Sequence, residues 1–344
     1  MHLIPELSGR PNPNVSFKSE LTFCHIIPAF VEHGMQFLTP MKQDWLHRKT
    51  PLLAQYNRMK SKYQMVDPAG VRGFATYKDS EQETTINDNR AKLMSAALFH
   101  LDFNVQTLVN YIGGPHTAAH RDFDQMWFNL RNIDPDVRSD WFRRVKYGAP
   151  QHCHAESSNE NFLAYWNYGN HSTVDQVPDV FEKVTVKDFK QGNTILVDPE
   201  LAPFIPNLHV TPQGIVDVNN RWKPPRPIYD STWRPSEKHS GINDWIDPDL
   251  EGYVTFINSI QRIATAIWNM RISYRNQAIY IADDDVSNAF RLVKLHPSMV
   301  SMHGFKYRDQ YLGFCTGMTF GDNCLPANFD IFALGKILCA MRAR

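Results

Sequence analysis

A short apolar run that ends in three consecutive carboxylates constrains this chain more than any other feature. Residues 278–282 read Ala-Ile-Tyr-Ile-Ala, and Asp283, Asp284 and Asp285 follow directly. The run predicts a short buried strand, and adjacent carboxylates at its end repel one another unless a cation or solvent offsets their charge. The end of the strand therefore either holds a divalent metal ion or caps a following helix. Both interpretations stay open from these residues alone.

Composition narrows the class of protein. The 344 residues include 36 Lys+Arg and 36 Asp+Glu, a formal charge of +0. A free-standing nucleic-acid binder more often carries a basic surplus, so the balance counts mildly against strong nucleic-acid binding by this chain alone. Five cysteines without CxxC spacing indicate reduced thiols and an intracellular protein of the cytoplasm or nucleus. No apolar stretch is long enough to span a membrane, and the N-terminus does not resemble a secretory signal.

Apolar periodicity predicts several helices. They cover residues 89–114, ended by a Gly-Gly pair, 159–168, 178–192, 252–271, and a last helix opened by Pro326. Four prolines between 199 and 212 oppose a regular helix there and mark a connector or edge strand.

The order of elements changes after residue 200. Residues 214–218 and 226–230 are predicted as two strands joined by a turn, and a helix, a strand and a further helix follow. The fold class predicted is α+β, with a mainly helical N-terminal region of unknown role at 1–160 and a second domain at 161–344.

Three segments in this second domain resemble a known family. Residues 285–290, Asp-Val-Ser-Asn-Ala-Phe, are similar to the first catalytic motif of reverse transcriptases. Upstream, residues 221–231 resemble the fingers motif, basic-Trp followed by Arg-x-aliphatic-x-Asp, and residues 240–244 resemble the Ser-x-Asn-Asp of tyrosine-recombinase-type retroelements. Downstream, residues 319–329 are similar to the second palm motif. The resemblance implies the fingers and partial palm of a reverse-transcriptase-like polymerase.

The resemblance assigns roles to individual residues. Asp285 would be the catalytic metal ligand with Asp283 as an accessory ligand of Mg²⁺ or Mn²⁺, and Val286 would offer a backbone group near the metals. Phe290 would lie under the sugar of the incoming nucleotide. The other substrate-binding candidates are Arg226, whose planar fork suits a triphosphate, Lys223 as a weaker second cation, and Gly321, whose lack of a side chain lets backbone approach nucleotide or template.

Departures from the family pattern limit the expected activity. Leu325 stands where the second palm motif has Ser, and Asp322 is an acid in a loop expected to be basic and to face nucleotide. The aromatic-x-Asp-Asp that supplies further metal ligands does not occur after Gly321. Two-metal phosphoryl transfer needs carboxylates from both places. The resemblance therefore implies a C-terminally truncated RNA-directed DNA polymerase that is inactive alone, with template-primer and deoxynucleotides as partners, and whether the chain is an enzyme stays open.

Two other functions fit parts of the sequence. A metal-dependent glycosyltransferase could use Asp283 and Asp285 as an Asp-x-Asp pair, although the chain has no Gly-rich phosphate loop. A non-catalytic nucleic-acid-binding or scaffold remnant is the other alternative.

Two minor features remain. His116, His120, His152, Cys153 and His154 could contribute to a zinc site, but their spacing matches no finger, and ordinary surface histidines are the simpler interpretation. The eight tryptophans are predicted to be core or helix-packing residues, not base-stacking platforms.

Overall fold

The computed structural model describes residues 40–72, 85–113, 128, 130–131, 134–151, 159–247, 259–279, 291, 293–324 and 326. The α-helices are α1 (Pro40–Tyr63), α2 (Asp88–His100), α3 (Val105–Tyr111), α4 (Pro135–Tyr147), α5 (Asn159–Tyr168), α6 (Ser172–Gln176), α7 (Pro178–Lys190), α8 (Ile242–Trp245) and α9 (Ser259–Ser273). The strands are β1 (Thr194–Val197), β2 (Gln213–Val216), β3 (Arg226–Tyr229), β4 (Gly304–Tyr307) and β5 (Tyr311–Cys315). Short 3₁₀ helices cover Pro68–Val71, Pro199–Phe204 and Pro297–Met302.

The chain divides into two compact units, Met1–Gln64 and Met65–Arg344. Of the first unit the structure describes α1 and one following residue. The mixed helix and sheet of the second unit agree with the predicted α+β class. The domain boundary predicted at residue 160 stays a prediction.

A three-stranded antiparallel sheet forms the centre of the second unit, in the order β1-β5-β4. β1 is buried along its whole length, and its register places Leu196 opposite Gly313 of β5. Phe305 of β4 lies opposite the same glycine, and a Cβ at Gly313 would be 2.3 Å from Cζ of the Phe305 ring. The glycine is therefore required because the phenylalanine ring occupies the space of its side chain.

Helices α2 and α7 pack against β1. Proline opens α7 at its first turn, and the left-handed Gly192 (φ 70°) follows its end. Between this proline and this glycine, one face of α7 buries Phe181, Val186 and Phe189. The hydroxyl of Ser95 in α2 accepts the Asp198 N–H at 2.9 Å, which fixes the chain as it leaves β1.

The second sheet is the two-stranded hairpin of β2 and β3. Its register pairs Gln213 with Tyr229 and Val216 with Arg226. Both strands were predicted from the sequence, and the structure confirms them to within two residues at each end. This hairpin carries most of the candidate site.

The helical predictions for 159–168 and 178–192 are confirmed by α5 and α7. The helix predicted at 252–271 overlaps α9, and its first seven residues lie outside the described part of the chain. Apart from Pro326, the last predicted helix also lies outside it, as do residues 280–282 of the predicted strand at 278–282.

The single helix predicted for 89–114 is wrong, because the structure has α2 and α3 there. Asp102 and Phe103 adopt positive φ (53° and 60°), which ends α2. The side chain of Asn104 then accepts the Thr107 N–H at 2.8 Å and caps α3. The residues 199–212 also contain a 3₁₀ helix, Pro199–Phe204, begun by the Asp198 side chain.

The described residues include no helix that is long and apolar enough to cross a membrane.

Candidate functional site

The β2–β3 hairpin presents Arg226 at the start of β3. The Arg226 Nε lies 3.4 Å from Oδ2 of Asp217, at the end of the partner strand, so an ion pair closes the hairpin near its turn. The Arg226 side chain is 55% exposed, whereas that of Asp217 is only 20% exposed. Because the arginine is on the outside of this pair, its remaining N–H groups are accessible to a ligand.

The loop Thr319–Asn323 docks onto the other end of β3. The Tyr229 N–H donates to the Phe320 carbonyl at 3.0 Å. The next residue, Gly321, has a φ of 141°, and a Cβ there would be 1.9 Å from the Tyr229 carbonyl oxygen. The sequence predicted a close backbone approach at Gly321, and the approach seen is to strand β3. Contact of this glycine with nucleotide or template stays a prediction.

Docking of the loop brings its aromatic ring to the arginine of β3. The Arg226 guanidinium carbon lies 5.1 Å from the centroid of the Phe320 ring, which is 43% exposed. This distance is within the range of cation–π attraction. We call Arg226, Tyr229, Phe320 and Gly321 the hairpin–loop junction. It joins the two segments that resemble the fingers motif and the second palm motif.

Asn243 fixes this junction from a third segment. Its Nδ2 donates to the Gly321 carbonyl at 2.8 Å, and its Oδ1 accepts the Asn323 N–H at 2.9 Å. Its own N–H donates to the Ser231 carbonyl at 3.0 Å. Asn243 is the asparagine of residues 240–244, the segment compared above with Ser-x-Asn-Asp although it has one more residue between Ser and Asn, and it was not predicted as a site residue.

Asp322 is buried and holds the loop from inside. Its carboxylate accepts the Ser231 hydroxyl at 2.6 Å and the Thr319 hydroxyl at 2.9 Å. The side chain of Asp322 is 0% exposed, and Nδ1 of His303 lies 3.7 Å from it. Asp322 was expected in a loop that faces solvent and ligand, but its hydrogen bonds turn it toward the protein interior.

Arg291 contacts the hairpin–loop junction through the ring of Tyr229. It directly follows Phe290 in the sequence, and its guanidinium is 5.0 Å from the centroid of the Tyr229 ring. The same group forms a buried ion pair with Asp188 of α7 at 3.1 Å, with side-chain exposures of 14% and 7%. Burial raises the pKa of the Tyr229 hydroxyl well above its ordinary value, so this tyrosine is neutral. The segment after the acidic motif is thus anchored to the strand that carries Arg226.

Two buried groups with potential chemistry adjoin this ion pair. Burial lowers the pKa of Lys294 to about 8, and the charge of Asp188 partly opposes that shift. The Lys294 ammonium donates to Oδ1 of Asn193. Burial also raises the pKa of the Cys315 thiol, which keeps it protonated and unreactive. With 5% and 0% exposure, Lys294 and Cys315 are positioned to support the fold and not to meet a substrate.

The remaining predicted site residues fall into two groups. Lys223 is in the exposed turn of the hairpin, and no carboxylate in the described part of the chain lies within ion-pair distance of it. Asp283, Asp285, Val286 and Phe290 lie outside the described residues, as do His116, His120, His152, Cys153 and His154. Within residues that are described, no group of three or more His, Cys, Asp or Glu side chains could hold a metal ion.

The prediction that the tryptophans are core or helix-packing residues holds for some and is wrong for others. Trp141 and Trp245 are 5% and 9% exposed. Trp222 in the hairpin turn is 93% exposed and Trp268 in α9 is 67% exposed.

No family model matches this sequence, and neither a curated protein nor a solved structure matches it.

Proposed function

We propose that residues 161–344 are the fingers and the first part of the palm of a reverse-transcriptase-like polymerase. The observation that carries this proposal is the hairpin–loop junction. Two segments that are distant in sequence, and that resemble motifs from different parts of one active site, meet with Arg226 exposed beside Phe320. A site that binds a nucleoside triphosphate needs a positioned cation, and the Asp217 contact fixes where this cation lies.

In this proposal the junction binds the polar end of a deoxynucleoside triphosphate. The planar guanidinium of Arg226 donates two parallel hydrogen bonds to phosphate oxygens, and Lys223, the weaker candidate, adds to the positive charge of the same hairpin. Asp285, with Asp283 as accessory, would hold Mg²⁺ or Mn²⁺ between protein and triphosphate, where the ion neutralises phosphate charge. The metal part of the proposal rests on the sequence, since both aspartates lie outside the described residues.

The first test is the binding of a fluorescent deoxynucleoside triphosphate to the full chain with Mg²⁺. Arg226→Ala should weaken binding about ten-fold or more, because a hydrogen-bonded charge is lost. Arg226→Lys should recover only part of the loss, since an ammonium cannot form the fork.

The chain offers a matched control in Arg234, which is 54% exposed and lies 3.8 Å from Asp244. Arg234→Ala removes the same charge at equal exposure and should leave nucleotide affinity unchanged. Equal losses from Arg234→Ala and Arg226→Ala, or no binding by the wild type, would contradict the proposal.

The second test concerns the metal. Asp285→Asn should abolish the Mg²⁺ dependence of nucleotide binding, whereas Asp283→Asn should reduce it less. Equal effects of both, together with binding of a nucleotide sugar, would favour the glycosyltransferase alternative. The 344-residue chain by itself should not extend a primer, because a second set of carboxylates is needed for two-metal catalysis. The same chain continued by a downstream aromatic-x-Asp-Asp segment should do so.

A further inference from the structure

The tip of the β2–β3 hairpin exposes a tryptophan almost completely. The Trp222 side chain is 93% exposed, more than Trp268, the other exposed tryptophan among the described residues. Tryptophan is normally well buried because its ring is large and apolar. An indole this exposed is available to stack on a planar ligand.

The backbone under this indole is held in one conformation. The side-chain oxygen of Asn220 accepts the Trp222 N–H at 2.8 Å and the Lys223 N–H at 3.2 Å. The Asn220 amide in turn donates to Asp217 at 3.2 Å, and Asp217 adopts a left-handed φ of 61°. Pro224 and Pro225 restrict the return of the chain. The exposure therefore belongs to a turn whose backbone is hydrogen-bonded to the Asn220 side chain, which limits the rearrangement needed for a ligand to bind.

The charges around the indole select the ligand. Arg221 and Lys223 flank it, and both are exposed. Residues 218–229 include no acid, and the carboxylate of Asp217 is paired with Arg226 at 3.4 Å. An aromatic face between two cations fits a base with a phosphate on either side. A duplex does not offer the face of a base, so the arrangement fits a single strand.

We propose that Trp222, Arg221 and Lys223 form a stacking site for an unpaired base of a single-stranded nucleic acid. The inference rests on the proposed function in one respect, namely that the strand is taken to be the template as it passes the hairpin that carries Arg226. The indole stacks on the base, while the two cations contact the adjoining phosphates. Stacking of this kind tolerates any base, since every base has a π face.

The test is fluorescence anisotropy of a short labelled oligouridylate, which cannot pair with itself, titrated with the full chain. Trp222→Ala should weaken binding about ten-fold. Trp222→Phe should restore most of the affinity, because a smaller ring still stacks. Trp268→Ala removes an exposed tryptophan elsewhere and should leave affinity unchanged. Binding of a labelled duplex should not respond to Trp222→Ala.

Three outcomes would overturn the inference. Trp222→Ala could bind the oligouridylate as tightly as the wild type, Trp268→Ala could cause an equal loss, or Trp222→Ala could abolish self-association of the chain measured by sedimentation without nucleic acid. The last result would assign the indole to a protein contact.

The nucleotide titration separates this inference from the proposed function. If Arg226→Ala weakens nucleotide binding while Trp222→Ala leaves oligouridylate binding intact, the stacking site is wrong and the polymerase proposal stands. If Trp222→Ala weakens oligouridylate binding but the chain binds no nucleotide, the stacking site stands and the polymerase proposal fails.

Discussion

Gly321 shows how a single hydrogen atom in place of a side chain allows two segments to meet. Its φ of 141° is a conformation that L residues rarely adopt, and the carbonyl of Tyr229 fills the position of a Cβ. Any side chain here forces the loop Thr319–Asn323 away from β3.

The first prediction concerns this residue. Gly321→Ala should lower the free energy of unfolding by about 3 kcal/mol, because strain in φ and displacement of the loop add together. Urea denaturation followed by circular dichroism measures it. Gly169→Ala is the matched control, since Gly169 has a φ of 77° but its Cβ would be 3.9 Å from the nearest atom, in the Lys306 side chain. The control should lose only about 1 kcal/mol. Equal losses would show that contact with Tyr229 does not matter.

The second prediction concerns the buried ion pair of Asp188 and Arg291. Asp188→Asn leaves the guanidinium buried without its counter-charge and should cost about 3 kcal/mol of unfolding free energy. Arg143→Ala breaks the exposed pair with Asp140, whose N–O distance is 2.7 Å, and should cost less than about 1 kcal/mol. Chemical denaturation at neutral pH compares the two. A loss as small in Asp188→Asn as in Arg143→Ala would mean that the pair contributes little to the anchoring of β3.

At the scale of elements, the stretch before β2 carries a histidine deep into the protein. Val210 forms a parallel bridge with Gly304 of β4, and this places His209 between the rings of Tyr165 and Trp245, at 4.5 and 4.8 Å. Burial, and then the nearness of His303, lowers the pKa of His209 from 6.5 to about 3. The histidine is therefore neutral when the protein is folded.

The third prediction follows from that shift. Below pH 6.5 the unfolded chain binds a proton at His209 that the folded chain does not, so stability is present above this pH and is lost as the pH falls. The loss at about pH 5 should be about 2 kcal/mol from His209 alone. His209→Phe keeps an aromatic ring in place and should remove this part of the acid sensitivity. Urea midpoints measured at about pH 7 and about pH 5 test it, and an unchanged difference in the variant would contradict it.

The elements that sequence reasoning found are those specified by neighbouring residues. α7 has its proline start, its glycine stop and its apolar face within one short stretch, and the β2–β3 hairpin encloses its own turn. β1 was missed because four consecutive buried residues have no alternation to identify them, and because its partner β5 is far away in the sequence. Long-range pairing is not visible in a local pattern.

The residues of the candidate site also divide into those that local sequence identifies and those that only the folded structure identifies. Arg226 and Gly321 were identified from motifs, but Asp217, Phe320 and Asn243 act through contacts that exist only after folding. The exposure of Trp222 could not be predicted either, since tryptophan is normally well buried and only the folded turn shows that this ring is 93% exposed.

At the scale of the whole molecule, a formal charge of +0 means that any nucleic-acid affinity depends on a local patch. Arg221, Lys223 and Arg226 form such a patch on the hairpin, where residues 218–229 include no acid.

The fourth prediction concerns salt. With the two cations Arg221 and Lys223 at a single strand, the logarithm of the oligouridylate association constant should fall with the logarithm of salt concentration with a slope of about −1.4. Lys223→Ala should make the slope shallower by roughly 0.7, and Lys238→Ala, which removes an exposed lysine outside the hairpin, should not change it. Anisotropy titrations across a salt series give both slopes. A much steeper dependence would mean that charges spread over the whole surface bind the strand.

Because β1 pairs with β5, the chain between Val197 and Tyr311 is a long connection whose two ends are held together by the sheet. The entropy of closing a loop grows only with the logarithm of its length, so a doubling adds about 0.6 kcal/mol. Insertions and deletions in the loops of this stretch should therefore cost the sheet little. Length is fixed instead where β4 pairs with β5 and where Asn243 contacts Gly321, so variation should accumulate in the loops and spare β4 and Asn243.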